Sequence, residues 1–176
     1  YSRILMLGWS LGGHMMLRYA TEEHDPRVRA VCAVCPPLDL AAAQRDIDHP
    51  ARLPYRRYVL AALRSMLAPV AARGRLCVSL EELSRIHHMR RWDETLVAPR
   101  FGFASPEDYY ARASVAPHLD RLAIPALVVA ARHDPMVVGR SVAAALAAHR
   151  EARRLEVRWL DGAGHGGFPA TTSLGQ

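Results

Sequence analysis

Arg3-Ile4-Leu5-Met6-Leu7-Gly8-Trp9-Ser10-Leu11-Gly12-Gly13-His14-Met15-Met16-Leu17 is the stretch whose reading decides the fold. Its first part, Arg3–Leu7, is a short and almost uninterrupted apolar run, the pattern of a buried parallel strand. Its last part, Leu11–Ala20, has helical spacing. Between them Gly8-Trp9-Ser10-Leu11-Gly12 fits G-x-S-x-G, with Gly13 following. A strand that passes into a helix through so tight a turn forces Ser10 into a strained backbone conformation. Gly8 and Gly12 are the elbow glycines, expected to remove side chains that would collide. The turn lifts the Ser10 hydroxyl above the sheet, at a helix N-terminus where free N–H groups favour a developing oxyanion. Ser10 is therefore a candidate nucleophile, and the backbone N–H of Leu11 a candidate oxyanion donor.

Working outward, three more apolar runs have strand length: Val28–Cys35, Pro125–Ala131 and Leu155–Leu160. The first two are nearly continuous, as in strands covered on both faces, and the last is mixed, as in an outer strand. An alanine-rich helical pattern, Ser141–Ala152, follows the third strand. Strands alternating with helices predict an open parallel α/β sheet. Residues 1–37 and 123–176 supply this core.

Residues 38–122 form a long insertion of helical character. Tyr55, Val59, Leu63, Met66 and Val70 recur at helical spacing, with Arg52, Arg56 and Arg64 turned elsewhere. Ser79-Leu80-Glu81-Glu82 reads as a capping box, and Ser105-Pro106-Glu107-Asp108 as a second helix start. An insertion of this length is expected to be a helical cap.

Two further residues join Ser10. Asp134 lies just past the third strand, in Ala131-Arg132-His133-Asp134-Pro135, where a carboxylate stands on the active edge of a parallel sheet. His165 follows the fourth strand, in Gly162-Ala163-Gly164-His165-Gly166-Gly167, among glycines that let a loop carry its imidazole toward Ser10. His133 is expected to point away from Asp134. His14, one helical turn beyond Ser10, reads as structural. His87 and His88 are adjacent and cannot share one helical face, so they read as surface residues rather than metal ligands.

Composition closes off other classes. The chain has 176 residues, is 51% hydrophobic and 23% charged, and carries a formal charge of +6. That is a globular profile. All 23 basic residues are arginine, spread along the chain with no long block of like charge, so nucleic acid is not expected as a partner. No apolar run is long enough for stable membrane insertion. Cys32 and Cys35 form a C-x-x-C inside a strand pattern, which reads as core cysteines; a redox pair needs its first thiol at a helix N-terminus. An odd count of three cysteines suggests reduced thiols and a cytoplasmic setting. The chain opens on Tyr1, so an upstream segment is expected.

The sequence resembles the YheT-like branch of the α/β-hydrolase superfamily. The resemblance is carried by Gly8-Trp9-Ser10-Leu11-Gly12-Gly13, Pro36-Pro37-Leu38-Asp39-Leu40, Arg91-Trp92-Asp93-Glu94 and Phe101-Gly102-Phe103. It continues through Asp108-Tyr109-Tyr110, Ala131-Arg132-His133-Asp134-Pro135 and Gly164-His165-Gly166-Gly167-Phe168. The chain order Ser, Asp, His is that of these hydrolases. The resemblance implies a serine hydrolase acting on carboxylic esters, short-chain or acylglycerol. Ser10 is then the nucleophile, Asp134 the acid and His165 the base, and no metal or organic cofactor is needed. Thioesters, amides or C–C bonds are alternative substrates, and a non-catalytic binding protein of the same fold is the alternative from another class. The resemblance further implies about eight strands in a full member, of which this chain supplies the last four. The second oxyanion donor and most of the helix after His165 are expected to lie outside it.

Overall fold

The computed structural model describes residues 1–22, 24–149 and 152–168. They divide into two compact units, Tyr1–Ala43 with Ala113–Gln176, and Gln44–Arg112.

The first unit is a four-stranded parallel sheet. Its strands are β1 (Ile4–Trp9), β2 (Val28–Val34), β3 (Ala126–Ala131) and β4 (Leu155–Leu160), side by side in that order. Leu7 pairs with Cys32, Cys32 with Leu127, and Leu127 with Glu156, one row across all four strands, while the β1–β2 register shifts by one residue between Ile4 and Leu5. Helix α1 (Leu11–Ala20) returns from β1 to the start of β2. Its buried side, His14, Leu17 and Ala20, lies at helical spacing. Leu17 and Ala20 pack with Val28, Val31, Val128 and Val142 in one continuous core, to which Leu38, Val115, Leu119 and Leu122 also belong. Those last four fall inside the range 38–122 assigned from sequence to the insertion. The pattern expected at Ser141–Ala152 forms α8 (Gly139–Ala147), and residues 150–151 lie outside the described ones. So does the segment 169–176, where the helix after His165 is expected.

The apolar run of β1 suits a strand with neighbours on both sides, but with four of about eight strands in this chain it is expected to stand at an edge; Leu5 and Leu7 are 77% and 69% exposed. β1 is an edge of the described sheet, and only the side carrying Ile4 and Met6 packs on the core. β4, the other edge, alternates as its mixed composition requires.

The second unit is helical. The end of α2 (Leu40–Asp48) leads to α3 (Leu53–Ala72), α4 (Leu80–Ser84), α5 (Met89–Trp92), a π-helical turn at Asp93–Val97, α6 (Ala98–Phe101) and α7 (Pro106–Ala113). Ser79 and Glu82 cap α4 reciprocally: the Ser79 hydroxyl accepts from the Glu82 N–H at 3.1 Å, and Glu82 Oε2 accepts from the Ser79 N–H at 2.9 Å. Leu60, Leu83, Ile86, Trp92 and Leu96 form this unit's own core. The helix α3 forms where its periodicity places it, but its inner row is Leu60, Leu63 and Leu67, whereas Tyr55 and Met66 are exposed. Arg56, expected to turn away, is buried, with Nη1 donating to the Asp48 carbonyl at 2.7 Å. Pairing a buried guanidinium with a carbonyl and a carboxylate nearby is what makes that burial tolerable. Among the described residues no helix is long and apolar enough to cross a membrane.

Candidate active site

Each of the four strands delivers a chemically distinctive residue just past its C-terminal end. Ser10 follows β1, Cys35 follows β2, Asp134 follows β3 and His165 follows β4. In an open parallel sheet this edge is where ligands bind.

Ser10 has φ 52 and ψ −125, a region L-residues avoid. Its N–H donates to the Val34 carbonyl at 2.8 Å, which ties the turn to β2, and its carbonyl accepts the first helical bond from the His14 N–H at 3.1 Å. Its side chain makes no capping bond to α1. The hydroxyl is thus not consumed by the helix it precedes, and the opening amides of α1, Leu11 first, have no acceptor within the helix itself.

The crowding that produces this turn is measurable at the glycines. A Cβ on Gly8 would stand 2.3 Å from the Gly12 carbonyl oxygen and 2.6 Å from the Gly13 nitrogen. A Cβ on Gly13 would stand 2.9 Å from the Gly8 carbonyl oxygen and 3.1 Å from Ala33 Cβ. Gly12 meets nothing within 4 Å. The close approach therefore sits at Gly8 and Gly13, not at the expected pair Gly8 and Gly12, because the Gly12 side position opens away from the strand. Gly8→Ala is expected to cost at least about 3 kcal/mol, since only backbone atoms could give way, whereas Gly12→Ala should be near neutral. Urea melts of the two variants check the contrast.

Asp134 and His165, far apart in sequence, are brought together. His165 Nδ1 lies 2.8 Å from Asp134 Oδ2. The other carboxylate oxygen, Oδ1, accepts the N–H groups of Met136 at 2.8 Å and Val137 at 2.9 Å. Asp134 is 5% exposed. Burial pushes its carboxyl up, but the His165 N–H and the two backbone donors outweigh that and hold it below the ordinary aspartate value. It is therefore an anion with a fixed orientation. His133, its neighbour, is exposed.

The loop carrying His165 is held against the elbow. Trp9, adjacent to Ser10, donates its indole N–H to the His165 carbonyl at 2.9 Å and meets Phe168 edge-on at 5.3 Å between ring centres. Trp9 occupies a variable position of G-x-S-x-G, so the motif itself does not mark it. His87 and His88 are exposed. All three cysteines are free thiols.

His14 is 4% exposed, with Nδ1 2.7 Å from the Pro37 carbonyl and Nε2 2.9 Å from the Ala113 carbonyl. It clamps α1 to the loop at Pro37 and to Ala113, the last residue of α7, both within the sheet unit. Burial lowers its pKa, and the two carbonyls only partly oppose that. The folded state therefore binds its proton less tightly than the unfolded chain does. The resulting stability is complete above about pH 6.5 and is lost as the pH falls toward the lowered folded value. His14→Gln should flatten that acid-side decline while lowering stability by roughly 1–3 kcal/mol at neutral pH. Urea midpoints taken between pH 5 and pH 8 measure both effects.

The Alpha/beta hydrolase family matches residues 1–172, and the chain belongs to that family. Among its relatives is YheT of Escherichia coli (strain K12), which carries an esterase name. The two are 33% identical over 134 residues, covering 74% of this chain and 39% of that protein. A monoacylglycerol lipase of Saccharomyces cerevisiae (strain ATCC 204508 / S288c) is 31% identical over 150 residues, covering 78% of this chain and 32% of the lipase. The chain is YheT-like and spans well under half the length of these relatives. An acylaminoacyl peptidase of Pyrococcus horikoshii shares the fold, with a TM-score of 0.56 at 11% identity over 94% of this chain and 20% of that one. A puromycin-hydrolyzing peptidase of Mycobacterium tuberculosis gives 0.56 at 19% identity, over 94% and 19%.

Proposed function

We propose that Ser10, His165 and Asp134 form a catalytic triad that cleaves carboxylic esters, acylglycerols among them, through an acyl-enzyme. The observation that carries this reading is the oriented Asp134–His165 pair, whose loop is bonded to the residue beside a strained, uncapped Ser10. His165 takes the proton from the Ser10 hydroxyl as the oxygen attacks the ester carbonyl. It then returns that proton to the leaving alcohol, and a water repeats the sequence to release the acid. Asp134 holds the imidazole tautomer and stabilises the imidazolium. The Leu11 N–H, at the start of α1, faces the charge that develops on the carbonyl oxygen. The esterase and monoacylglycerol lipase names of the two relatives support the choice of esters over amides. In this reading the helical residues 38–122 are the cap insertion of the hydrolase.

A fluorophosphonate probe tests the nucleophile directly. One covalent adduct per chain is expected, on Ser10, formed as its oxygen attacks phosphorus and fluoride leaves. Peptide mapping that found no adduct, or an adduct elsewhere, would overturn the reading.

A further inference from the structure

Among the described residues, Cys35 is the only non-glycine besides Ser10 with a left-handed φ, at 47. Such strain persists where surrounding structure demands it. Here the demand is visible. Cys35 directly follows β2, and its N–H donates to the Val129 carbonyl at 2.7 Å, pinning it to the neighbouring strand. The residue is 2% exposed, packed with Ala131 and Ala163.

Its thiol occupies a particular place. Cys35 Sγ, a carboxylate oxygen of Asp134 and a ring nitrogen of His165 all lie within 4.8 Å of one another. The sulfur is also 4.0 Å from the carbonyl of Gly164, the residue before His165. One small side chain just past β2 thus lies beside both loops that must meet to form the Asp134–His165 pair. The S–H donates to the Gly164 carbonyl, at the outer limit of contact, with the Asp134 carboxylate and the His165 ring close beside the sulfur. Burial, then the charge of Asp134, pushes the thiol up to about 12. It stays protonated at working pH, so it is neither a nucleophile nor a ready metal ligand.

We propose that Cys35 is a positioning residue for the Asp134–His165 pair, its S–H donating to the Gly164 carbonyl while its sulfur packs beside the Asp134 carboxylate and the His165 ring. The role rests on the triad reading above. Losing the thiol loosens the geometry and lowers kcat, with KM little changed.

The test compares Cys35→Ala, Cys35→Gly and Cys35→Ser in the purified enzyme. Alanine and glycine both remove the thiol, but glycine also relieves the φ strain, so one of them can report even if the other folds poorly. Both are expected to lower kcat about three- to tenfold with KM little changed, on the scale of one weak hydrogen bond. Serine, which restores a donor toward Gly164, should recover most of that loss. If Ser10→Ala abolishes turnover while the alanine and glycine variants keep a normal kcat, the positioning role is wrong and the triad stands. If Ser10→Ala keeps its turnover, the triad fails and the Cys35 role falls with it.

Discussion

In the full-length protein, Ser10→Ala is expected to lower turnover of a p-nitrophenyl ester by at least about a thousandfold while leaving the fold intact. The two halves of that expectation have separate causes. The hydroxyl makes no capping bond to α1, so its removal deprives the helix of nothing. Alanine carries the same Cβ and must adopt the same φ of 52, so the strain at the turn is unchanged. Stability should therefore move by no more than about 0.5 kcal/mol. Turnover falls because His165 and Asp134 have no purpose without an oxygen to deprotonate, and a triad acts as a unit. Parallel measurement of kcat and of the thermal midpoint checks both halves. Near-normal hydrolysis would remove Ser10 from the chemistry.

Asp134→Asn should also have a large effect, a fall of roughly 10⁴ in kcat with little change in KM. The surroundings of Asp134 dictate how asparagine would sit. The N–H groups of Met136 and Val137 both point at Oδ1, so the amide oxygen of asparagine must take that place. Its NH₂ group then faces His165 Nδ1, where Asp134 Oδ2 now accepts. A donor there requires the imidazole to keep its proton on the other nitrogen, and that tautomer cannot take a proton from Ser10. The substitution is almost isosteric, so the loss is one of tautomer and charge rather than of shape. Steady-state kinetics decide the matter: activity within tenfold of the parent would reject Asp134 as the orienting acid.

The parts of this molecule legible in the sequence are those set by neighbours in the chain. Strand-length apolar runs, the reciprocal cap at Ser79 and Glu82, and the strand–turn–helix around Ser10 all depend on residues within a few positions of each other. Asp134 and His165 were legible as candidates for a related reason. Each lies a few residues beyond a strand, and parallel strands bring such ends to one edge. The direction in which α3 faces was not legible. Its heptad-like spacing admits two apolar rows, and only packing among Leu60, Leu83 and Trp92 selects one of them.

By itself, then, the sequence determined the element order, the parallel sheet and the three residues proposed to carry the chemistry, because backbone sterics and hydrophobic periodicity act locally. Tertiary structure alone decided three further points. Gly13, not Gly12, lies against the strand, because Ala33 of β2 stands beside it. Trp9 holds the His165 loop through a bond that spans most of the chain. Cys35, an ordinary core cysteine in the sequence, becomes a neighbour of Asp134, Gly164 and His165. Each of these contacts joins residues in or next to different strands, and no local pattern encodes a distance between strand ends. That distance exists only once β1 to β4 are paired in register.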